Sequence, residues 1–248
     1  PATQAAYKQL LHMEAPVSLP DPLPAVDQIR PSPLPVPATF FIGRERELAQ
    51  IAERLADPAC RLLTIVGPGG IGKTRLALQT AVGHQPVFAD GVAWVALNAL
   101  QSPEQFAASI AESLNHHLRG TASAETELFP LLADKELLLV LDNFEHLLPA
   151  ANLLTRLLER TYSIKLLVTS RQALELPEEW RFDLGALPLP AEESDINLSD
   201  NSAVQLFVQS GRRAAGTFTP TETEYLAIAH ICHLVGGMPL GIELAASW

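Results

Sequence analysis

The run Gly67-Pro68-Gly69-Gly70-Ile71-Gly72-Lys73-Thr74 fits the pattern G-x-x-x-x-G-K-S/T and directly follows the apolar stretch Leu62-Leu63-Thr64-Ile65-Val66. This order predicts a strand feeding a phosphate-binding loop. Gly67, Gly69, Gly70 and Gly72 let the backbone turn its N–H groups around an anion, where a Cβ would obstruct. Lys73 adds a cation and Thr74 a hydroxyl suited to Mg²⁺. Arg75-Leu76-Ala77-Leu78-Gln79 continues as a helix whose N-terminal dipole faces the same anion. The competing reading is a glycine-rich turn that matches by accident. Average residue frequencies give roughly one such match per hundred chains of this length, so nucleotide binding is the stronger reading.

With 248 residues, 48% hydrophobic and 18% charged, the chain can form one large domain or one domain plus a smaller one. No apolar run approaches the roughly 20 residues that span a bilayer, so no membrane partner is expected. The formal net charge of −11 leaves few cations to neutralise phosphates, so DNA contact is expected only through domains outside this chain. Cys60 and Cys232 are too few for a disulfide framework. With nucleotide chemistry and no visible signal peptide, they point to the reducing cytoplasm. The start at Pro1 and the apolar end Leu244-Ala245-Ala246-Ser247-Trp248 fit a segment of something longer.

Upstream of the loop, Ala2 to Met13 could be the last turns of a preceding helix. The dense prolines from Pro16 to Pro37 favour an extended linker over a ligand for a proline-binding module. Residues 1–38 are therefore set apart. Phe40-Phe41-Ile42-Gly43-Arg44-Glu45 opens the folded region, and Leu48, Ile51, Ala52 and Leu55 follow at helical spacing. The first core strand is expected over Ala59 to Val66, a second over Gly91 to Leu97, and a helix with Ser102 as N-cap and Pro103 at its first position. Glu127 to Ala133 has the look of a short helix.

Glu136-Leu137-Leu138-Leu139-Val140-Leu141-Asp142 is a continuous apolar run ending in an acid, as expected of a strand buried on both faces of a parallel sheet. It delivers Asp142 to the carboxyl edge, where it could hold Mg²⁺ beside Thr74; a buried structural Asp is the alternative. After a helix over Pro149 to Arg160, Ser163 to Thr169 forms another buried strand. It brings Ser170 and Arg171 to the same edge and makes Arg171 a γ-phosphate sensor candidate. Glu179 to Leu184 is the expected edge strand. Alternating strands and helices imply a parallel α/β layer over residues 39–190. Beyond Ala191 only helical periodicity remains, predicting a small all-helical domain over 191–248, with a last helix over Gly241 to Ser247. His230, Cys232 and His233 fall in one helical segment without a second ligand pair, so zinc is not expected.

With these residues in view, the chain resembles the STAND class of P-loop ATPases, in the NB-ARC-like branch of apoptosome scaffolds, plant disease-resistance proteins and LuxR- and SARP-type bacterial transcription regulators. The resemblance covers about residues 39–248. It rests on Phe41-Ile42-Gly43-Arg44-Glu45, the phosphate loop, Leu138 to Asp142 followed by Asn143-Phe144-Glu145-His146, Thr169-Ser170-Arg171, and Gly237-Met238-Pro239-Leu240. It implies a three-layer P-loop NTPase sheet followed by a small all-helical domain, truncated before a winged-helix domain that would supply a His to bound ADP. It also implies that Ile42, Gly43 and Pro239 frame an adenine, that Lys73, Thr74 and Asp142 handle phosphates and Mg²⁺, and that Arg171 senses the γ-phosphate. The nucleotide-binding set is then Ile42, Gly43, Arg44, Gly67, Gly69, Gly70, Ile71, Gly72, Lys73, Thr74, Arg75, Arg171 and Pro239.

Many relatives place a second acid straight after the Mg²⁺-linked Asp. Here Asn143 stands there, and an amide cannot accept a proton from an attacking water. Slow hydrolysis is expected, with Glu145 able to substitute only if the loop curls back toward the phosphate. These features predict an ATP/ADP switch: ADP seals the two units, and ATP favours an open form that self-associates in the full-length protein. The resemblance implies that the parent is a signal-responsive transcription regulator. The alternatives are a turnover ATPase of AAA-like type, a nucleoside kinase, or a degenerate scaffold. The sequence shows no acceptor pocket, pore loop or trans-arginine for the first two, and Lys73, Thr74 and Asp142 speak against the third.

Overall fold

The computed structural model describes residues 29–100, 102, 104–120, 122–190 and 198–248. The expected helix over Ala2 to Met13, the linker as far as residue 28, Pro103, and the domain boundary at 190/191 lie outside or at the margin of these residues. Five strands form one parallel sheet: β1 (Leu62–Val66), β2 (Val92–Ala96), β3 (Leu138–Asp142), β4 (Lys165–Ser170) and β5 (Glu179–Asp183), ordered β2-β3-β4-β1-β5. Every residue of β1 and β3 is buried, as continuous apolar runs require of strands covered on both faces. The edge strand β5 is more open: it buries Phe182 while Trp180 and Arg181 are exposed.

Period-2 alternation sends successive side chains to opposite faces and so sets the layers. On one face Ala93, Val95, Leu139, Leu141, Leu166 and Val168 pack against helices α3 (Gln105–Ser113), α4 (Ala124–Leu132) and α5 (Asn152–Arg160). On the other, Leu63, Ile65, Leu138, Val140 and Leu167 meet Ile51 and Leu55 of α1 (Glu45–Ala56) and Leu76, Ala77 and Ala81 of α2 (Lys73–His84). After β5, three helices enclose their own core around Val204, Phe207, Ile228, Cys232 and Ile242: α6 (Ser202–Ala215), α7 (Glu222–Leu234) and α8 (Pro239–Ala246). Asn201 caps α6 by accepting from the Ala203 and Val204 N–H groups, and Thr221 and Glu224 form a capping box on α7.

Several boundaries differ from those the sequence predicts. β1 begins at Leu62 rather than Ala59, because Cys60 N–H closes a turn on Asp57. Helix α4 begins at Ala124, where the Ser123 hydroxyl accepts from Thr126 N–H. Helix α3 begins at Gln105, later than a Ser102 cap implies, and α5 begins at Asn152 after a short 3₁₀ turn. Helix α8 starts at Pro239, not Gly241, with proline at the position where its missing N–H is harmless. The described part of the expected linker docks on the α/β layer: Ile29 is buried in its core, and Ser32 N–H donates to the Ser113 carbonyl at 2.8 Å. Among the described residues no helix is long and apolar enough to cross a membrane.

Candidate functional site

Strand register decides which residues can meet. β4 lies between β1 and β3, with Val66 beside Ser170 and Leu141 beside Val168, so Gly67, Asp142, Thr169 and Arg171 emerge at one carboxyl edge. The chain after Val66 turns through Gly70 (φ +78°) and Gly72 (φ +97°) into the first turn of α2. Those two angles suit glycine. At Gly70 a Cβ would also stand 2.8 Å from the Leu240 side chain.

Lys73 is the first residue of α2, and its ammonium donates to the Gly67 carbonyl at 2.8 Å and the Pro68 carbonyl at 3.0 Å. It is buried, and burial pushes its amine below the ordinary value; the Glu145 carboxylate opposes this more than any other charge. Thr74 Oγ1 donates to Asp142 Oδ1 at 2.9 Å, and Thr169 Oγ1 donates to the same oxygen at 2.6 Å. Thr169 also accepts from Asn143 N–H at 2.9 Å. Burial raises the Asp142 carboxyl above its ordinary value, and the two hydroxyl donors offset part of that rise. The Thr74 hydroxyl and the Asp142 carboxylate thus converge as hard oxygen donors, the kind Mg²⁺ accepts alongside phosphate and water oxygens. Among the described residues there is no group of three or more His, Cys, Asp or Glu that could hold a metal ion.

These groups open into a cavity of about 310 Å³, near the lower end of the roughly 300–1,000 Å³ typical of small-molecule sites. Gly69, Gly70, Ile71, Gly72, Lys73 and Thr74 form its floor. Phe40, Phe41 and Ile42 wall one side, Asn143, Glu145 and Arg171 another, and Pro239, Leu240 and Glu243 of α8 close it from the helical unit. The loop and that unit touch directly: Leu240 N–H donates to the Gly70 carbonyl at 3.2 Å.

Some sequence-derived candidates occupy structural positions. Arg44 lines the cavity, but its guanidinium is committed to Glu47 at 2.6 Å and to the Gly185 carbonyl at 2.8 Å. Arg75 donates to the Thr39 and Phe40 carbonyls at 3.0 and 2.7 Å and pairs with Glu243 at 3.5 Å, tying the opening strap and α8 to the loop helix. Gly43 and Gly67 sit behind the wall, where a Cβ would strike Ser202 Oγ at 2.6 Å and the Leu184 carbonyl at 3.0 Å. Thr169 and Leu240 belong to quoted motifs that give them no role of their own, and Glu243 belongs to none; the structure brings all three to the site. Thr169 could have been found by pairing β4 beside β3. Leu240 and Glu243 lie three apart on one helical face.

This strand order, with a glycine loop at the tip of β1 and an acid at the tip of β3, defines a P-loop NTPase fold. The chain belongs to the NB-ARC domain family, a nucleotide-binding module, whose sequence profile matches residues 44–174. It is 33% identical over 210 residues to the uncharacterized protein Rv0894 of Mycobacterium tuberculosis, covering 84% of this chain and 50% of that protein. It is likewise 33% identical over 190 residues to Rv0890c of the same species, provisionally named an HTH-type transcriptional regulator, covering 75% of this chain and 20% of that protein. The chain therefore spans half of one relative and a fifth of the other. The crystal structure of Cdc6p from Pyrobaculum aerophilum is similar with a TM-score of 0.54 at 18% identity, covering 87% of this chain and 62% of that one, a likeness of fold alone.

Proposed function

We propose that this chain is the adenine-nucleotide switch of a signal-responsive transcription regulator, resting with ADP and opened or assembled by ATP. The observation that carries the reading is the shared cavity: its floor is the glycine loop with Lys73, and its far wall is α8 of the helical unit. A ligand seated there touches both units, so any contact that ADP and ATP do not share biases how the units sit together.

In this reading the amides of Gly69 to Thr74 and the N-terminus of α2 take the β-phosphate, and Lys73 leaves the Gly67 and Pro68 carbonyls to meet phosphate oxygens. Thr74 and Asp142 would hold Mg²⁺, which supplies charge neutralisation at the phosphates. Ile42 and Pro239 frame the adenine, with Gly43 turning the chain behind Ile42, and Arg171 meets a γ-phosphate that ADP lacks. Asn143 offers no base at the position after Asp142, so turnover is slow. DNA contact belongs to domains outside this chain, as its net charge of −11 supports. Buried free Cys60 and Cys232 are compatible with work in the reducing cytoplasm.

Mass spectrometry of the nucleotide that co-purifies with the chain tests the resting state, with ADP expected. Sustained rapid phosphate release by the isolated chain would instead favour a turnover ATPase. Identical domain arrangement and assembly state of the full-length protein in ATP and ADP would refute the switch.

A further inference from the structure

We infer that Glu145 is a built-in counter-ion occupying the field of the terminal phosphate, so that it sets how strongly the site prefers ATP over ADP. The inference rests on the nucleotide-switch reading above and names a residue that tunes it. Glu145 Oε1 pairs with Arg171 Nε at 3.0 Å, and both residues line the cavity beside the loop. The Arg171 guanidinium lies alongside Gly69, 3.8 Å from where a Cβ would stand. Glu145 Oε2 is buried with no hydrogen-bond partner among the described residues. One carboxylate therefore sits against one of the site's cations, beside the loop that holds another, Lys73, with an oxygen to spare. A γ-phosphate would bring the same negative charge to the same cations.

The two partners differ in freedom. Glu145 is held by its surroundings: Asn143 takes a left-handed turn (φ +66°) that folds the chain back, and Phe144 is buried edge-on against Phe106 at 5.5 Å. Its side chain is 11% exposed, whereas that of Arg171 is 64% exposed on a long flexible stem. Arg171 is thus the partner that can swing, and a γ-phosphate must win it from a fixed carboxylate. ADP makes no such demand. Glu145 therefore taxes ATP selectively and holds the site toward ADP.

The test is equilibrium binding of ADP and of a non-hydrolysable ATP analogue, both with Mg²⁺, to the chain and to Glu145→Gln. An ion pair whose cation is largely in solvent is a modest interaction, so the ratio of triphosphate to diphosphate affinity should rise roughly two- to fivefold. Glu145→Asp, which withdraws the carboxylate by one methylene, should give a smaller rise and covers the case of a poorly folding Gln variant. Adding Glu145→Gln to Arg171→Ala should leave the ratio where Arg171→Ala alone puts it. An unchanged ratio in both Glu145 variants would overturn the inference, as would an unchanged ratio with lost turnover, which would assign Glu145 to water activation. If the wild-type chain bound neither nucleotide, the underlying nucleotide reading would fail as well, a result distinct from an unchanged ratio.

Discussion

Replacing Thr169 by Val keeps the shape of a fully buried side chain while deleting one hydroxyl, so its effect isolates the support of Asp142. Two hydrogen bonds disappear: the one donated to Asp142 Oδ1 at 2.6 Å and the one accepted from Asn143 N–H at 2.9 Å. A hydrogen bond to a charged group contributes about 1.5–3 kcal/mol, and an unpaired N–H costs about 1–3 kcal/mol when buried, with half-buried Asn143 toward the low end. The two losses share a neighbourhood and do not add fully, so the expected destabilisation is about 2–4 kcal/mol. For a chain of this size that corresponds to a drop in Tm of roughly 5–15 °C. Asp142 then keeps only the Thr74 donor, so Mg²⁺-dependent nucleotide affinity should fall more than Mg²⁺-free affinity. Differential scanning calorimetry and titrations with and without Mg²⁺ measure both, and Thr169→Ser should restore both. A Val variant melting within about 1 °C of wild type, with unaltered Mg²⁺ dependence, would refute the reasoning.

Asp142→Asn should act oppositely on stability. Burial raises the folded carboxyl pKa, so the folded chain holds that proton more tightly than the unfolded chain does. Its charge therefore costs stability at neutral pH, a cost relieved as pH falls through the raised value toward 3.8. The Asn variant should melt higher without ligand, lose that acid-side gain in a pH series, and gain less from Mg²⁺ and nucleotide; a lower ligand-free Tm would contradict this. Gly237→Ala tests the joint between the units. Its φ of +67° costs a side chain about 1–2 kcal/mol, and the new Cβ would stand 2.5 Å from the Leu187 carbonyl oxygen. A destabilisation of more than about 2 kcal/mol is expected in chemical denaturation, and a neutral effect would show that the joint yields freely.

Local chemistry made part of this molecule legible in its sequence. The largely apolar runs of β1, β3 and β4, the glycines feeding α2 and the terminal acid Asp142 are each decided within a few residues, and parallel pairing of such strands is enough to bring Lys73, Thr74 and Asp142 to one edge. Strand order is decided by contacts distant in sequence, and with it the fact that Thr169 stands next to Asp142. The docking of α8 on the loop was hidden for the same reason, since Leu240 and Gly70 are far apart along the chain. Arg44 and Arg75 belong to motifs beside a phosphate loop, yet their guanidinium groups are taken up by backbone carbonyls and by Glu47 and Glu243. A sequence cannot display such capture. The return of Glu145 to the cavity depended on a left-handed Asn143, a conformation that asparagine permits without dictating.

The central claim is that the loop and Lys73 grip the phosphates of an adenine nucleotide, and calorimetric titration of ADP with Mg²⁺ into the chain and its Lys73→Ala variant tests it most directly. Saturable binding to the wild type, weakened more than about tenfold in a Lys73→Ala variant of unchanged fold, is the predicted result. Equal affinity in the two chains, or no binding to the wild type, would contradict it.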